Sequence, residues 1–420
     1  MYTEITKCRI CGNTKLLPVL DLGRQFLTGV FPGTREEEVT SGPLEIVRCA
    51  EGEGEACGLV QLRHSYDRDE LYGDTYGYRS GINASMVDHL RARVAKILER
   101  VRLHAGDLVI DIGSNDGTLL GMYPSKGPVL AGVDPTAKKF GKYYPPHVRR
   151  ISGFFSAGLI REQFGASRAK VVTSIAMLYD LESPIDFMRQ VREVLADDGI
   201  WVFEQSYLPS MLEMNAYDTV CQEHLEYYRL AQIRWMAGRA GFKIIDVELN
   251  AVNGGSFAVT VCKAAARLPE NTAAIDAVFD EEQRRRLDQM APYEKFKRNV
   301  FRHREELTSL VRGLRARGKK VFGYGASTKG NVILQFCGLA REDITCIAEA
   351  NADKFGRVTP GTGIPIIPED EARALKPDYF LVLPWHFRDY FLVKERAYLE
   401  RGGKIIFPLP SPEVYPRAGP

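Results

Sequence analysis

Long apolar runs are missing from this sequence. No stretch approaches the roughly 20 residues that span a bilayer, so no membrane passage is expected. An apolar leader is missing too: the opening MYTEITKCRICGN has no apolar h-region, so no signal peptide is read there and a cytoplasmic protein is the expectation. There is no excess of one charge. The 56 basic and 54 acidic side chains leave +2, which predicts affinity for neither nucleic acid nor anionic membrane. Low-complexity tracts and short repeats are absent as well. What is present is ordinary for globular domains, with 45% hydrophobic and 26% charged residues in 420. At about 150 residues per domain, two to four domains are expected.

Eight cysteines in such a chain read as thiols or metal ligands, not as a disulfide framework. Four of them, Cys8, Cys11, Cys49 and Cys57, crowd the N-terminus, whereas Cys221, Cys262, Cys337 and Cys346 are scattered. Cys8-Arg-Ile-Cys11-Gly is a knuckle that aims two thiolates at one ion. Cys49 follows a β-like run, LEIVRC, and Cys57 opens CGLVQL. Four thiolates satisfy tetrahedral zinc, and a site with every position filled is structural. The gap AEGEGEA is longer than the usual knuckle, but a Gly/Glu loop can bulge outward and leave both sulfurs on the metal. The alternative is two unrelated surface thiol pairs.

Beyond this lobe the chain alternates. Residues 83–103 carry apolar side chains at helical spacing, and GDLVIDIGSNDGTLLGMYPSKGPVLAGVDPT reads as strand, Gly-rich turn, helix and strand. A strand (KVVTSIAML), a helix (SPIDFMRQVREVLADDG) and a strand (IWVFEQSY) follow. A helix near 228–241 and an antiparallel pair, KIIDVELN and SFAVTVCKA, complete an α/β unit. Residues 266–316 read as a helical connector. A second strand, Gly turn and helix begin at KKVFGYGASTKGNVILQFCGL and open a smaller α/β domain, and SPEVYPRAGP reads as a loop or tail. The expected division is 1–70, 71–265, 266–316 and 317–420.

The first glycine-rich turn is Asp111-Ile-Gly113-Ser114-Asn115-Asp-Gly117, with Asp134 at the end of the next strand, placed to accept from ribose hydroxyls. Its spacing, G-x-x-x-G, is not the one that cradles a dinucleotide pyrophosphate. With an acid two residues before the first glycine, it resembles motif I of class I S-adenosylmethionine methyltransferases. A sulfonium donor carries a cation and no phosphate, so an acid-rich turn suits it. The adenine is expected near Phe154, Phe155 and Ser156, aromatics that serve equally well as core.

After strand IWVFEQSY comes Tyr217-Asp-Thr-Val-Cys221-Gln222-Glu223-His224-Leu-Glu226-Tyr227-Tyr228, beyond the carboxyl end of a strand, where α/β sheets place ligands. A histidine there is suited to proton abstraction near neutral pH, and a neighbouring carboxylate would stabilise its cation. The second turn, Gly323-Tyr-Gly325-Ala-Ser327-Thr-Lys329-Gly330-Asn331, opens a helix whose amides and lysine suit an anion. It lacks P-loop ordering, so ATP hydrolysis is rejected; a purely structural turn is the alternative.

Taken in order, the N-terminal cysteine pairs, YGYRSGIN (76–83), DIGSNDGTLL, EHLEYY, NGGSF (253–257) and GYGASTKGN (323–331) resemble the sugar C-methyltransferases acting on nucleoside-diphosphate 4-keto deoxysugars. The resemblance covers nearly the whole chain. It implies a zinc-binding lobe and a C-terminal Rossmann-like domain flanking a class I methyltransferase core, with the sugar nucleotide held between them. It implies His224 as the base, Glu223 as its companion carboxylate and Tyr76 as an active-site aromatic. It also implies the substrate diphosphate at the second turn, near Ser327, Lys329 and Asn331. The sequence departs from the family at Cys221, where members with antibiotic-sugar substrates tend to carry tyrosine, and in SIAMLYDLE, where some carry a histidine and this chain offers Tyr179.

The chemistry fits these residues. A carbon becomes nucleophilic as an enolate, which a ketone one carbon away makes accessible to a histidine base. Tyr76 or Tyr78 would donate to the keto or enolate oxygen. Arg79 would meet a diphosphate or lie on the surface, and Asn253 would touch substrate or only form the hairpin turn. No catalytic metal is required. The expected function is therefore C-methylation of a nucleoside-diphosphate keto sugar, with thymidine diphosphate favoured by family frequency, S-adenosylmethionine as donor and structural Zn2+. The competing readings are an O- or N-methyltransferase, a keto-sugar epimerase using the same base, and a non-catalytic zinc-lobed adaptor.

Overall fold

A computed structural model describes residues 1–50, 56–72 and 77–416. The loop between Cys49 and Cys57 expected to bulge, and Tyr76, fall wholly or largely outside the described residues. Among the described residues no helix is long and apolar enough to cross a membrane.

Seven strands form the central sheet. Their spatial order runs Val148–Ser152, Val129–Asp134, Leu108–Ile112, Ala169–Ile175, Leu195–Ser206, Ser256–Lys263 and Phe242–Asn250. The first five are parallel, and Ser256–Lys263 runs antiparallel to both its neighbours. Leu108–Ile112 is buried at every position, the pattern of a strand covered on both faces. One face is covered by helix Pro184–Val194, whose Pro184 stands in the first turn and whose Phe187, Met188, Val191 and Val194 point inward. Helix Ala84–Arg100 covers the other with Met86, Leu90, Val94 and Ile97; Asn83 caps it, accepting from the Ser85 amide at 3.0 Å.

The helix expected after the first glycine turn is not there. Gly117 at φ +76° turns the chain, and Pro124 interrupts it soon after, leaving only a single 3₁₀ turn, Leu120–Met122. The tail also differs: Glu413–Tyr415 pairs antiparallel with Lys404–Phe407 and closes the edge of the C-terminal sheet. That sheet is otherwise parallel, in the order Ile366–Pro368, Ile347–Glu349, Val321–Tyr324, Tyr379–Val382 and Lys404–Phe407.

The N-terminal lobe contains a four-stranded antiparallel sheet of Leu16–Phe26, Ser41–Cys49, Val60–Leu62 and, at its edge, Glu226–Tyr227. The last strand belongs to the EHLEYY segment of the core, so the lobe and the histidine-bearing loop share one hydrogen-bond ladder. The helical region 266–316 does more than connect. Helix Ala291–Ala316 buries Tyr293, Phe296, Val300, Leu307, Val311 and Leu314 in a core shared with the N-terminal strands and the C-terminal sheet.

The shorter helix Thr272–Arg284 supplies Glu282, only 2% exposed, to the N-terminus of helix Leu230–Ala240. Its carboxylate accepts from the amides of Leu230 (2.6 Å) and Ala231 (3.2 Å) and from the Tyr207 hydroxyl (3.0 Å). Replacing it strands buried donors at about 1–3 kcal/mol each. Glu282→Ala is expected to lower stability by at least about 2 kcal/mol. Calorimetry of thermal unfolding would read this as a melting temperature several degrees lower, with Glu282→Gln in between.

Candidate active site between the three domains

The four N-terminal cysteines converge. The Cys8–Cys57 and Cys11–Cys49 sulfurs lie 3.5 and 3.4 Å apart, and all four lie within 4.8 Å of one another. Tetrahedral zinc with Zn–S bonds of about 2.3 Å needs sulfurs about 3.8 Å apart, so this set fits the ion. Gly12, at φ +76°, turns the knuckle, and the Asn13 side-chain amide donates to the Cys49 sulfur at 3.4 Å. All four positions are protein thiols, which makes the site structural.

Two cavities adjoin at the carboxyl ends of the central strands. The first, the expected donor cavity, is lined by Asp111, Gly113, Ser114, Asn115, Asp134 and Phe154, among others. Asp111 is buried and accepts from the Thr173 hydroxyl at 2.6 Å; burial pushes its pKa up to about 7. Asp134 accepts from the Asn115 amide (2.8 Å) and from the Thr136 amide and hydroxyl (2.7 and 2.5 Å), so it braces the glycine turn. Asn115 holds the overlying segment, accepting from the Ser80 amide at 3.0 Å and donating to the Tyr78 carbonyl at 3.1 Å. Phe154 is exposed, with the Arg68 guanidinium 3.9 Å above its ring. Glu204, buried at the same cavity, is bound by His89 (2.5 Å) and Arg93 (2.7 Å). Beside it Gln205, 1% exposed, has no partner for its side-chain oxygen or nitrogen. An orphaned amide among buried carboxyls suits a polar, cationic ligand such as S-adenosylmethionine.

The second, the expected acceptor cavity, lies between the core and the C-terminal domain. Tyr78, Asn253, Ser327 and Lys329 line it with Glu223 and His224. His224 Nδ1 lies 2.8 Å from the Thr219 carbonyl, an acceptor only, so Nδ1 carries the hydrogen and Nε2 keeps its lone pair. The Tyr179 ring packs edge-on at 4.4 Å. Burial, reinforced by the Lys329 charge, holds the His224 pKa down at about 3. Burial pushes Glu223 up to about 7, against the pull of Lys354. Cys221, Glu223 and His224 present side-chain ligand atoms within 4.8 Å of one another. Cys221 itself is fully buried, and desolvation raises its thiol well above the usual range. Lys329 Nζ donates to the Asn253 carbonyl at 2.8 Å, and the Ser327 side chain caps helix Thr328–Cys337.

Three expected contacts lie elsewhere. Asn331 is fully buried and donates to the Thr28 carbonyl at 2.8 Å, clamping the C-terminal domain to the N-terminal lobe. Arg79 turns from the cavities: its guanidinium stacks 3.9 Å over Tyr143 and lies 3.7 Å from Asp116. Gly117 is set by packing, since a Cβ there would meet the Tyr144 ring at 2.9 Å. Conversely, the cavities contain groups that no motif marked. Lys354 reaches the acceptor cavity with Nζ 2.7 Å from the Ala326 carbonyl, and His386 and Asp180 line it too. Gly29 also lines it, and a Cβ there would collide with Glu223 Oε1 at 2.1 Å.

Three domain families match the chain in order: a zinc binding domain over residues 8–72, a methyltransferase domain over 86–247 and a C-methyltransferase C-terminal domain over 251–410. The protein is thus an S-adenosylmethionine-dependent methyltransferase carrying a zinc lobe. It is 33% identical over 414 residues to the C-methyltransferase NovU of Streptomyces niveus, covering 98% of this chain and 97% of that protein, and it belongs to that C-methyltransferase family. Among solved structures, the CcbJ methyltransferase from Streptomyces caelestis is 18% identical with a TM-score of 0.34, covering 42% of this chain and 90% of that one. The CurJ carbon methyltransferase is 14% identical with a TM-score of 0.34, covering 44% and 56%.

Elemental analysis of the purified protein is expected to give about one zinc per chain. Cys49→Ala is expected to lose the metal and to melt at a markedly lower temperature, because binding free energy of structural zinc is folding free energy. Well-folded protein without zinc would remove the metal from the lobe.

Proposed function

We propose that this enzyme methylates the carbon next to the ketone of a nucleoside-diphosphate keto deoxysugar, with the dTDP sugars as the favoured class. The observation that carries this reading is His224, fixed through Nδ1 with Nε2 free, in a cavity that also presents Lys329 and Lys354 for an anionic substrate. A base beside a donor cavity suits an acceptor that must lose a proton from carbon before it can be methylated.

When bound, S-adenosylmethionine supplies an electrophilic methyl group. Asp111, Gly113, Ser114, Asn115, Asp134 and Phe154 hold it, and Gln205 gives a further polar contact. Ser327, Lys329 and Lys354 receive the diphosphate, while Tyr78 and Asn253 border the sugar. His224 Nε2 takes the α-proton. A neutral imidazole with so low a pKa is always ready to accept but holds the proton poorly, so the cation needs a partner. Glu223, as carboxylate, provides it.

His224→Gln keeps the size and polarity of the side chain but removes the proton acceptor. Solvent-hydrogen exchange at the sugar carbon, run without donor, isolates enolisation. Wild type should exchange, and His224→Gln should be slower by about 10²–10⁴-fold while still binding both ligands. Exchange at the wild-type rate would place the base elsewhere.

The pH profile carries a second expectation. His224 is neutral at any pH above about 3, so its own titration leaves the neutral range untouched. Glu223 gains its negative charge as pH rises through about 7. The turnover rate should therefore fall as pH drops below about 7. Glu223→Gln should be slow throughout and lack that limb.

A further inference from the structure

Eight described residues line both cavities: Tyr72, Tyr78, Met86, Ala176, Tyr179, Asp180, Ser206 and Asn253. They mark the place where donor and acceptor meet. Asp180 is the one carboxyl among them. It follows strand Ala169–Ile175 at the end of a 3₁₀ turn, Leu178–Asp180, so the sheet's carboxyl edge delivers it to the junction. Its Oδ1 is buried without a hydrogen-bond partner. Neither the donor turn nor His224 uses it.

We propose that the Asp180 carboxyl hydrogen-bonds the acceptor's ketone oxygen and supports that oxygen as the enolate forms, making Asp180 a further catalytic residue. This rests on the reading under Proposed function. A buried carboxyl oxygen without a partner, as Oδ1 is, is costly unless a ligand completes it. The ketone oxygen is the acceptor group that must gain charge at this junction, since His224 approaches the neighbouring carbon. Burial and the charge of Glu223 hold the Asp180 carboxyl well above the usual carboxylate range, against one opposing hydrogen bond from Tyr72. It thus keeps its proton and can donate. A carboxylic acid kept neutral by its site is an established way to stabilise an enolate.

The step balances. His224 Nε2 takes the α-hydrogen as a proton, the C–H pair becomes the C=C bond, and the carbonyl π pair moves to oxygen, where the Asp180 O–H meets it. When the carbon takes the methyl group, the S–CH₃ pair stays on sulfur, the ketone reforms and Asp180 retains its proton. The proton on His224 passes by way of Glu223 to solvent.

The rival role for Asp180 is an ionised partner of the sulfonium. Two measurements on the full-length, zinc-loaded protein separate them: exchange of the α-hydrogen of a dTDP-4-keto deoxysugar in deuterium oxide without donor, and calorimetric affinity for S-adenosylmethionine. Asp180→Ala is expected to slow exchange by about 10²–10³-fold, the cost of losing one donor to an oxyanion. Asp180→Asn, whose amide still donates, should lose less, and donor affinity should be unchanged in both. Affinity weakened by at least about tenfold in Asp180→Asn, with exchange intact, would overturn the proposal in favour of the ionised role. Wild-type rates and affinity in both variants would overturn it in favour of packing. If wild type itself does not exchange the sugar hydrogen, the reading of the substrate fails first, and the enolate role falls with it even where donor affinity is unchanged.

Discussion

The site depends on a short backbone ladder between the zinc lobe and the loop that carries His224. The Leu62 amide donates to the Leu225 carbonyl at 2.8 Å, and Glu226 and Tyr227 pair with Gln61 and Val60. On the other side, the Leu225 amide donates to the Tyr179 carbonyl at 2.8 Å. Leu225, the residue after His224, is thereby held between two domains. Gln222 extends the seam: its side-chain oxygen accepts from the Thr28 hydroxyl at 3.0 Å, while Gly29 leaves room for Glu223. Zinc lies outside both cavities, but Cys49 ends the strand Ser41–Cys49 that pairs with Val60–Leu62. The metal-binding strand is thus tied to the His224 loop through the register of a sheet.

Burial sets the electrostatics of the acceptor cavity. Lys354, Glu223, Asp180, His224 and His386 all face this cavity, and burial moves each of them from its solution behaviour. His224 and Lys354 are pushed toward neutrality, and Glu223 and Asp180 are pushed toward holding their protons. An anionic ligand changes this balance. Its charge offsets Lys329, which is one of the two causes lowering His224. A diphosphate bound there would therefore raise the pKa of His224.

Features carried by neighbouring residues were legible in the sequence. The cysteine pairs, the Asp111–Gly117 turn and the Glu223–His224 pair each lie within a few positions, and short-range geometry follows from such spacing. Partners brought from remote parts of the chain were not legible. Asp180 lies beside the Tyr179 position that the family resemblance marks but was not itself marked, Lys354 sits in an unremarkable stretch, NADKF, and only the sheet order carries both to the cavity. The second glycine turn shows the limit within one motif. Lys329 and Asn331 lie two residues apart on helix Thr328–Cys337, which rotates their side chains by about 200°. Lys329 meets the cavity and Asn331 the N-terminal lobe, a division that needs the positions of both neighbouring domains. The helix missing after Gly117 is a simpler case: the strand–turn–helix pattern was overridden by local glycine and proline chemistry.

The C-terminal domain fixes the other end of the same loop. His224 is oriented by the Thr219 carbonyl, and Thr219 closes a 3₁₀ turn, Tyr217–Thr219, with no side-chain cap of its own. That turn is held from outside. The Trp385 indole donates to Asp218 at 2.8 Å. His303, on the long helix, donates through Nε2 to the Pro408 carbonyl at 2.6 Å, which leaves Nδ1 to accept from the Tyr217 hydroxyl at 3.1 Å. The tautomer of His303 is thus fixed by the C-terminal domain, and through Tyr217 it positions the carbonyl that fixes the tautomer of His224. The loop is anchored at Leu225 by the zinc lobe and at Tyr217–Thr219 by the long helix and the C-terminal domain. The core supplies the strand end from which the loop departs and the Tyr179 carbonyl at Leu225, while the zinc lobe and the C-terminal domain supply the other anchors that orient His224, a physical reason for this loop to be held by three domains rather than by one.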